Sequence, residues 1–226
     1  GIYSAAYKIP TLISIVSTIF FQAWQFSAIT EFNTEGSKKF YATVFDAYQS
    51  IMYIGSAGIL LILIPLTKSG ILLEEQFQSS YVYAPFLVIG VLMSCFCQFL
   101  SSIYSATKHT KNSMWTSLVA AIVNITLNII LIPLFGAQGA SVSTMLSYSA
   151  CFIIRIIDTR KLVHFKVDFF KIIMNTIALM IMCIVIVGDF NFTPFFLVAG
   201  TMAIILLNMN ELVATIRKIF HKQEDL

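Results

Sequence analysis

Ser4, Tyr7, Thr11, Ser14, Thr18, Gln22 and Gln25 follow one another at steps of three or four residues, which sets their hydroxyl and amide groups on one face of a helix. Such groups suit uncharged hydrogen bonding, either to a neighbouring helix or to the contents of a wet cavity. Lys8 stands beside this stripe and supplies a positive charge, which either reaches the interface along its own stem or meets an anion. The pattern repeats downstream: Asp46, Gln49, Tyr53 and Ser56; Ser94, Gln98, Ser101 and Ser105; Ser113, Ser117, Asn124 and Asn128; Ser141, Thr144 and Tyr148. One such stripe reads as helix packing, whereas several in succession favour a cavity within a bundle. Asp46 is expected in the first turn of its helix, stabilised by the helix dipole, and Arg155 with Asp158 as a local pair at a helix end.

The elements that carry these stripes are long apolar blocks. The chain is 58% hydrophobic and 11% charged, far from the roughly 25% charged residues of a soluble domain. Seven blocks approach the ~20 residues needed to cross the hydrocarbon: 9–30, 43–66, 82–104, 114–135, 137–157, 169–188 and 192–213. Continuous apolar runs must be helices, because lipid offers no partner for backbone groups, and they exclude the alternating pattern of a β-barrel. The expectation is an all-α, seven-helix transmembrane bundle, kinked in its first helix at Pro10 and with apolar, peripheral sixth and seventh helices.

Charge sets the expected orientation. Lys38, Lys39, Lys108, Lys111, Arg155, Arg160, Lys161, Lys166, Lys171, Arg217, Lys218 and Lys222 fall to one side, and only Lys8 and Lys68 to the other. The positive-inside rule puts the N-terminus outside and the C-terminus in the cytoplasm, with 67–81 (Lys68, Glu74, Glu75) as an outer loop. These short basic loops flank spans and do not suit nucleic acid. The four cysteines lie within apolar blocks, the three histidines in loops or the tail, and carboxylates are dispersed, so no catalytic constellation, metal site or cofactor is implied. An odd helix count and Gly1 in place of Met point to a chain with upstream helices missing.

Against that background, Asn124-Ile-Thr-Leu-Asn128-Ile-Ile-Leu-Ile-Pro133-Leu-Phe-Gly136-Ala-Gln-Gly139-Ala140 resembles a hallmark of Wzx-type polysaccharide flippases. Their superfamily includes multidrug extruders and the lipid II flippase. The opening Gly1-Ile-Tyr3-Ser-Ala5-Ala6-Tyr7-Lys8-Ile-Pro10, with Ala23-Trp24, resembles the start of that family's eighth helix. Pro133, Gly136 and Gly139 are expected to make a tight helical hairpin. The resemblance implies a fragment of a two-lobe transporter: 1–158 would be a partial C-terminal lobe, and 159–226 two peripheral helices and a cytoplasmic tail. It implies a bacterial inner-membrane protein, not an enzyme, whose partners are the bilayer, a missing N-terminal lobe and an undecaprenyl-pyrophosphate-linked oligosaccharide exported by alternating access. The first-helix stripe with Lys8, Gln49 and Tyr53 would then line the substrate cavity, and Lys8 would meet the pyrophosphate or an anionic sugar. The rivals are a multidrug extruder of the same superfamily, a membrane glycan polymerase or ligase, and a non-transporting scaffold.

Overall fold

A computed structural model describes residues 2–32, 36–68 and 75–224; Gly1, Lys68's side chain, Glu74 and the centre of the 67–81 loop lie outside the described residues. The fold is all-α: α1 (Ile2–Tyr7), α2 (Thr11–Glu31), α3 (Ser37–Lys68), a 3-10 segment (Glu75–Val82), α4 (Ala84–Ala106), α5 (Thr110–Phe135), α6 (Ala137–Leu162), α7 (Phe169–Gly188) and α8 (Thr193–Glu224). Among the described residues, seven stretches are long and apolar enough to span a membrane, with α1 and α2 together forming the first.

The break between α1 and α2 falls at Lys8–Pro10. Proline has no N–H for the helix ladder, and the chain crosses the gap with tighter bonds, Lys8 N–H to Ala5 O and Ile13 N–H to Pro10 O at 3.2 and 3.0 Å. Several helices overrun the apolar blocks at the membrane edge. α3 starts at Ser37, because Lys38 and Lys39 are good helix formers that need not enter hydrocarbon. α8 runs to Glu224, through the stretch expected as a tail, and α6 continues past residue 158 to Leu162. The early start of α3 moves Asp46 out of the first turn, where a helix dipole acts, and its carboxylate accepts from Gln49 Nε2 at 3.1 Å instead.

α4 is the axis of the bundle. Leu87, Leu92, Phe96, Leu100 and Ile103 are fully buried, and the other helices pack around them. On one side lies an aromatic stack, with Trp24 and Phe99 ring centroids 4.7 Å apart and Phe20 and Tyr48 4.4 Å apart. Each polar tip in the stack is used: Trp24 Nε1–H donates to Ser102 Oγ at 2.7 Å, and Tyr48 OH shares a 2.7 Å bond with Ser17.

α7 and α8 join α3 through a polar seam. Lys171 Nζ lies 2.7 Å from Glu211 and donates to Ser50 at 3.1 Å, and Tyr53 OH meets Thr176 at 2.8 Å. Deeper in, the Asn175 and Asn208 amides bond reciprocally, the shorter contact being 2.9 Å. Asn208→Leu should therefore lower the thermal unfolding midpoint by the equivalent of about 1 kcal/mol, the order seen for interhelical bonds in membranes. Asn175→Leu/Asn208→Leu should recover part of that loss, because no buried amide is then left without a partner. Strict additivity of the two losses would refute the pairing.

Candidate functional site, a polar cavity around Arg155

Three of the polar stripes converge. Ser94, Gln98 and Ser101 of α4, Ser113, Ser117 and Asn124 of α5, and Thr144, Ser147 and Tyr148 of α6 border one cavity of about 690 Å³, to which α1 adds Tyr7. From Ser113 to Asn124 it follows α5 for roughly 16 Å at 1.5 Å per residue. The walls are held by their own bonds: Asn124 Nδ2 donates to Ser147 Oγ at 3.2 Å, Asn128 Nδ2 to Asn124 Oδ1 at 3.0 Å, and Tyr3 OH meets Thr144 Oγ1 at 3.3 Å.

The hairpin between α5 and α6 sets the spacing of two of these walls. Pro133 occupies the last turn of α5, and Gly136 both ends α5 and precedes α6 at φ 57° and ψ −134°, a conformation that suits glycine alone. Gly139 then passes so close that a Cβ there would sit 2.2 Å from the Leu131 carbonyl oxygen.

Arg155 lies at the cavity's floor, 5% exposed. Its Nε–H donates to Thr116 Oγ1 at 2.9 Å, one terminal nitrogen to Cys97 O at 2.7 Å and to Ser101 Oγ, and the other to Ser113 O at 3.0 Å and Ser117 Oγ at 2.8 Å. Every acceptor is neutral. Among the described residues no carboxylate forms a salt bridge with it, so the N–H groups are satisfied and the charge is not.

This corrects the expected Arg155–Asp158 pair. Asp158 Oδ2 instead accepts from Tyr104 OH and Asn112 Nδ2, both at 2.9 Å. A local pair three residues apart on a helix contributes only about 0.3–0.5 kcal/mol, less than several interhelical bonds around a buried guanidinium together. The signal was present in the sequence: continuing Thr144 and Tyr148 by steps of three and four reaches Cys151 and Arg155, so the α6 stripe ends on the arginine.

The other candidate residues divide three ways. Tyr7 joins the cavity. Ser4, Lys8, Thr11, Thr18, Gln22 and Gln25 are exposed on the outer face of α1 and α2, with Ser14 partly covered. The Thr11 hydroxyl donates to Lys8 O, and that of Thr18 to Ser14 O at 2.7 Å, so two of these groups also serve their own backbone. Gln49 and Tyr53 are fully buried, committed to Asp46 and to Thr176, and are not among the cavity lining.

No curated protein and no solved structure matches the chain. A family model described as lipid II flippase MurJ matches residues 73–208, which takes in the whole of α4, α5, α6 and α7 and the first half of α8. The match thus covers all three helices that hold Arg155 and more than half of the 226 residues, and the chain belongs to the family of the lipid II flippase MurJ.

Proposed function

We propose that the chain is part of a flippase that carries a polyprenyl-pyrophosphate-linked saccharide from the inner to the outer leaflet of a bacterial cytoplasmic membrane by alternating access. The observation that carries this reading is the uncompensated charge of Arg155 in a polar, membrane-embedded cavity. A pyrophosphate entering the cavity supplies the missing countercharge. Ser101 and Ser117, which accept from the guanidinium, can turn their own O–H groups from the Cys97 and Ser113 carbonyls to the phosphate oxygens without moving their helices. Asn124, Thr144 and Tyr7 line the same cavity and offer polar groups to sugar hydroxyls.

Positive charge at this point also disfavours the multidrug extruder as a rival, since a cationic drug would be repelled. The reading is of a transporter and not an enzyme. The ends of α2, α4 and α6 are assigned to the cytoplasm on the distribution of lysine and arginine.

Two observations point to different glycans within this class. The family match favours the peptidoglycan precursor, lipid II. The Asn124-to-Ala140 hairpin favours the repeat unit of a surface polysaccharide, through its likeness to Wzx-type flippases. The gene is therefore to be expressed in one strain depleted of its lipid II flippase and in another lacking a polysaccharide flippase. Restored growth in the first assigns lipid II, restored surface glycan in the second assigns the repeat unit, and rescue of neither refutes flipping.

The exposed face of α1 and α2 is assigned to the cargo path, on the far side of which the other lobe of the transporter would stand. Lys8→Ala and Gln22→Ala should each reduce export several-fold at unchanged protein level, as loss of one or two hydrogen bonds requires. Normal export by both variants removes this face from the path.

A further inference from the structure

Basic residues at the end of the bundle where α6 finishes are gathered around a hollow. Lys38 and Lys39, in the first turn of α3, line a pocket of about 500 Å³ together with His164 and Lys166 from the connection between α6 and α7, over a wall that includes Thr43 and Asp46. The two segments are far apart in sequence, and a definite device brings them together. The connection leaves α6 with Val163 extended, at φ −128° and ψ 110°, turns tightly at His164 through Phe165 N–H to Val163 O at 2.8 Å, and alternates in burial: Val163 and Phe165 inward, His164 and Lys166 outward. Phe165 is 1% exposed and packs on Tyr41 and Phe45, with ring centroids 6.4 and 6.1 Å away. That plug seats the connection against α3 one turn beyond its lysines, so His164 and Lys166 face Lys38 and Lys39 across the pocket.

The charges there do not cancel. Glu211 is taken by Lys171, and Asp168 caps α7 by accepting from Lys171 N–H at 3.0 Å. Asp46 is thus the one carboxylate in the lining, against Lys38, Lys39 and Lys166, and among the described residues none of these lysines forms a salt bridge. The basic rim continues into a neighbouring hollow of about 240 Å³ that shares His164 and Lys166 and adds Arg160 and Lys161. Ile157 also lines this hollow and, with Ile153 one turn back along α6, is exposed.

We propose that this pocket binds the phosphate of an anionic phospholipid, with the headgroup among Lys38, Lys39 and Lys166 and an acyl chain along Ile153 and Ile157. Basic pockets between transmembrane helices at the membrane edge recognise lipid headgroups by this charge complementarity. A soluble phosphate shares the headgroup chemistry but has no use for the isoleucine stripe. The site is separate from the Arg155 cavity, and its failure would leave the flippase reading untouched.

The test uses the purified full chain in phosphatidylcholine nanodiscs titrated with phosphatidylglycerol, with bound lipid counted by native mass spectrometry. Lys39→Gln/Lys166→Gln should weaken phosphatidylglycerol binding about tenfold, whereas Lys108→Gln/Lys111→Gln, which removes equal charge from the exposed α4–α5 connection and first turn of α5 at the same membrane edge, should change it by less than about twofold. Asp46→Asn should strengthen binding about threefold, a gain that misfolding cannot produce. Equal weakening by both double variants, or none by the first, overturns the site in favour of general surface charge. Displacement of the lipid by millimolar glycerol phosphate or inorganic phosphate overturns the lipid assignment in favour of a soluble anion.

Discussion

Arg155→Met should fold with nearly the parent's thermal stability and lose most of its flipping. Two effects on stability oppose each other. The guanidinium bonds to oxygens on α4 and α5, and interhelical bonds in membrane proteins average about 0.6 kcal/mol, so removing five of them costs about 3 kcal/mol. Against this, a buried charge without a counter-ion is itself costly, up to about 2.5–3.5 kcal/mol at the centre of a span on insertion scales and less toward its end, where Arg155 lies, and methionine removes it while filling much of the volume. The carbonyl and hydroxyl groups left behind keep other partners: Ser101 Oγ donates to Cys97 O, and Ser117 Oγ to Ser113 O. The two effects offset each other in large part. Flipping has no such compensation, since a charged hydrogen bond to phosphate is worth about 1.5–3 kcal/mol, or roughly ten- to a hundredfold in rate. Arg155→Lys keeps the charge with fewer donors and should fall between. The measurements are the unfolding midpoint in detergent and flipping per folded molecule. A large loss of stability with normal flipping per folded molecule would make Arg155 a structural cross-link and remove the anion from the proposal.

The parts legible in the sequence share a physical feature: they depend on local composition or on fixed helical period. Apolar length sufficed for the spans, and proline sufficed for the break at Lys8–Pro10. The helical step placed Ser94, Gln98, Ser113, Ser117, Asn124 and Thr144 on the faces that the cavity uses. What the period does not contain is which faces meet. The longest stripe, from Ser4 to Gln25, faces away from the rest of this chain, while shorter stripes on α4, α5 and α6 enclose the cavity. The stripe of α3 was divided likewise, with Gln49 and Tyr53 turned to partners inside the bundle.

Charged residues were the hardest to place, because their position follows from tertiary partners. Arg155 was read by its neighbour three residues on, although its side chain finds two other helices. Asp46 was read from the edge of an apolar block, although α3 starts earlier on polar residues outside that block. At Asp46 the hydrophobic boundary is not the helix boundary, and at Arg155 the opposite charge nearest in sequence is not the partner in the fold. Lys171, three residues into α7, behaves the same way: it is buried on Glu211 and Ser50.

Gly139→Ala is the substitution with the largest expected effect on the fold, although it adds one methyl group. The new Cβ would meet the Leu131 carbonyl oxygen at 2.2 Å, its carbon at 2.5 Å and Ile132 N at 3.0 Å, all of them backbone atoms of α5. No rotamer change relieves such a clash, so α5 and α6 must separate by about an ångström. Overpacking of this kind costs about 1–3 kcal/mol or somewhat more. Gly136→Ala carries a different penalty, about 1–3 kcal/mol for a left-handed conformation that side chains resist, and leaves the helix spacing alone. The two variants should therefore separate by function. Gly136→Ala lowers the unfolding midpoint but keeps flipping per folded molecule. Gly139→Ala lowers both, because Asn124–Ser147 and the bonds from Arg155 to Ser113, Thr116 and Ser117 all cross the gap that it widens. Parent-like flipping by folded Gly139→Ala would show that the cavity tolerates a looser hairpin, and would separate the close approach of α5 and α6 from the binding of charge at Arg155.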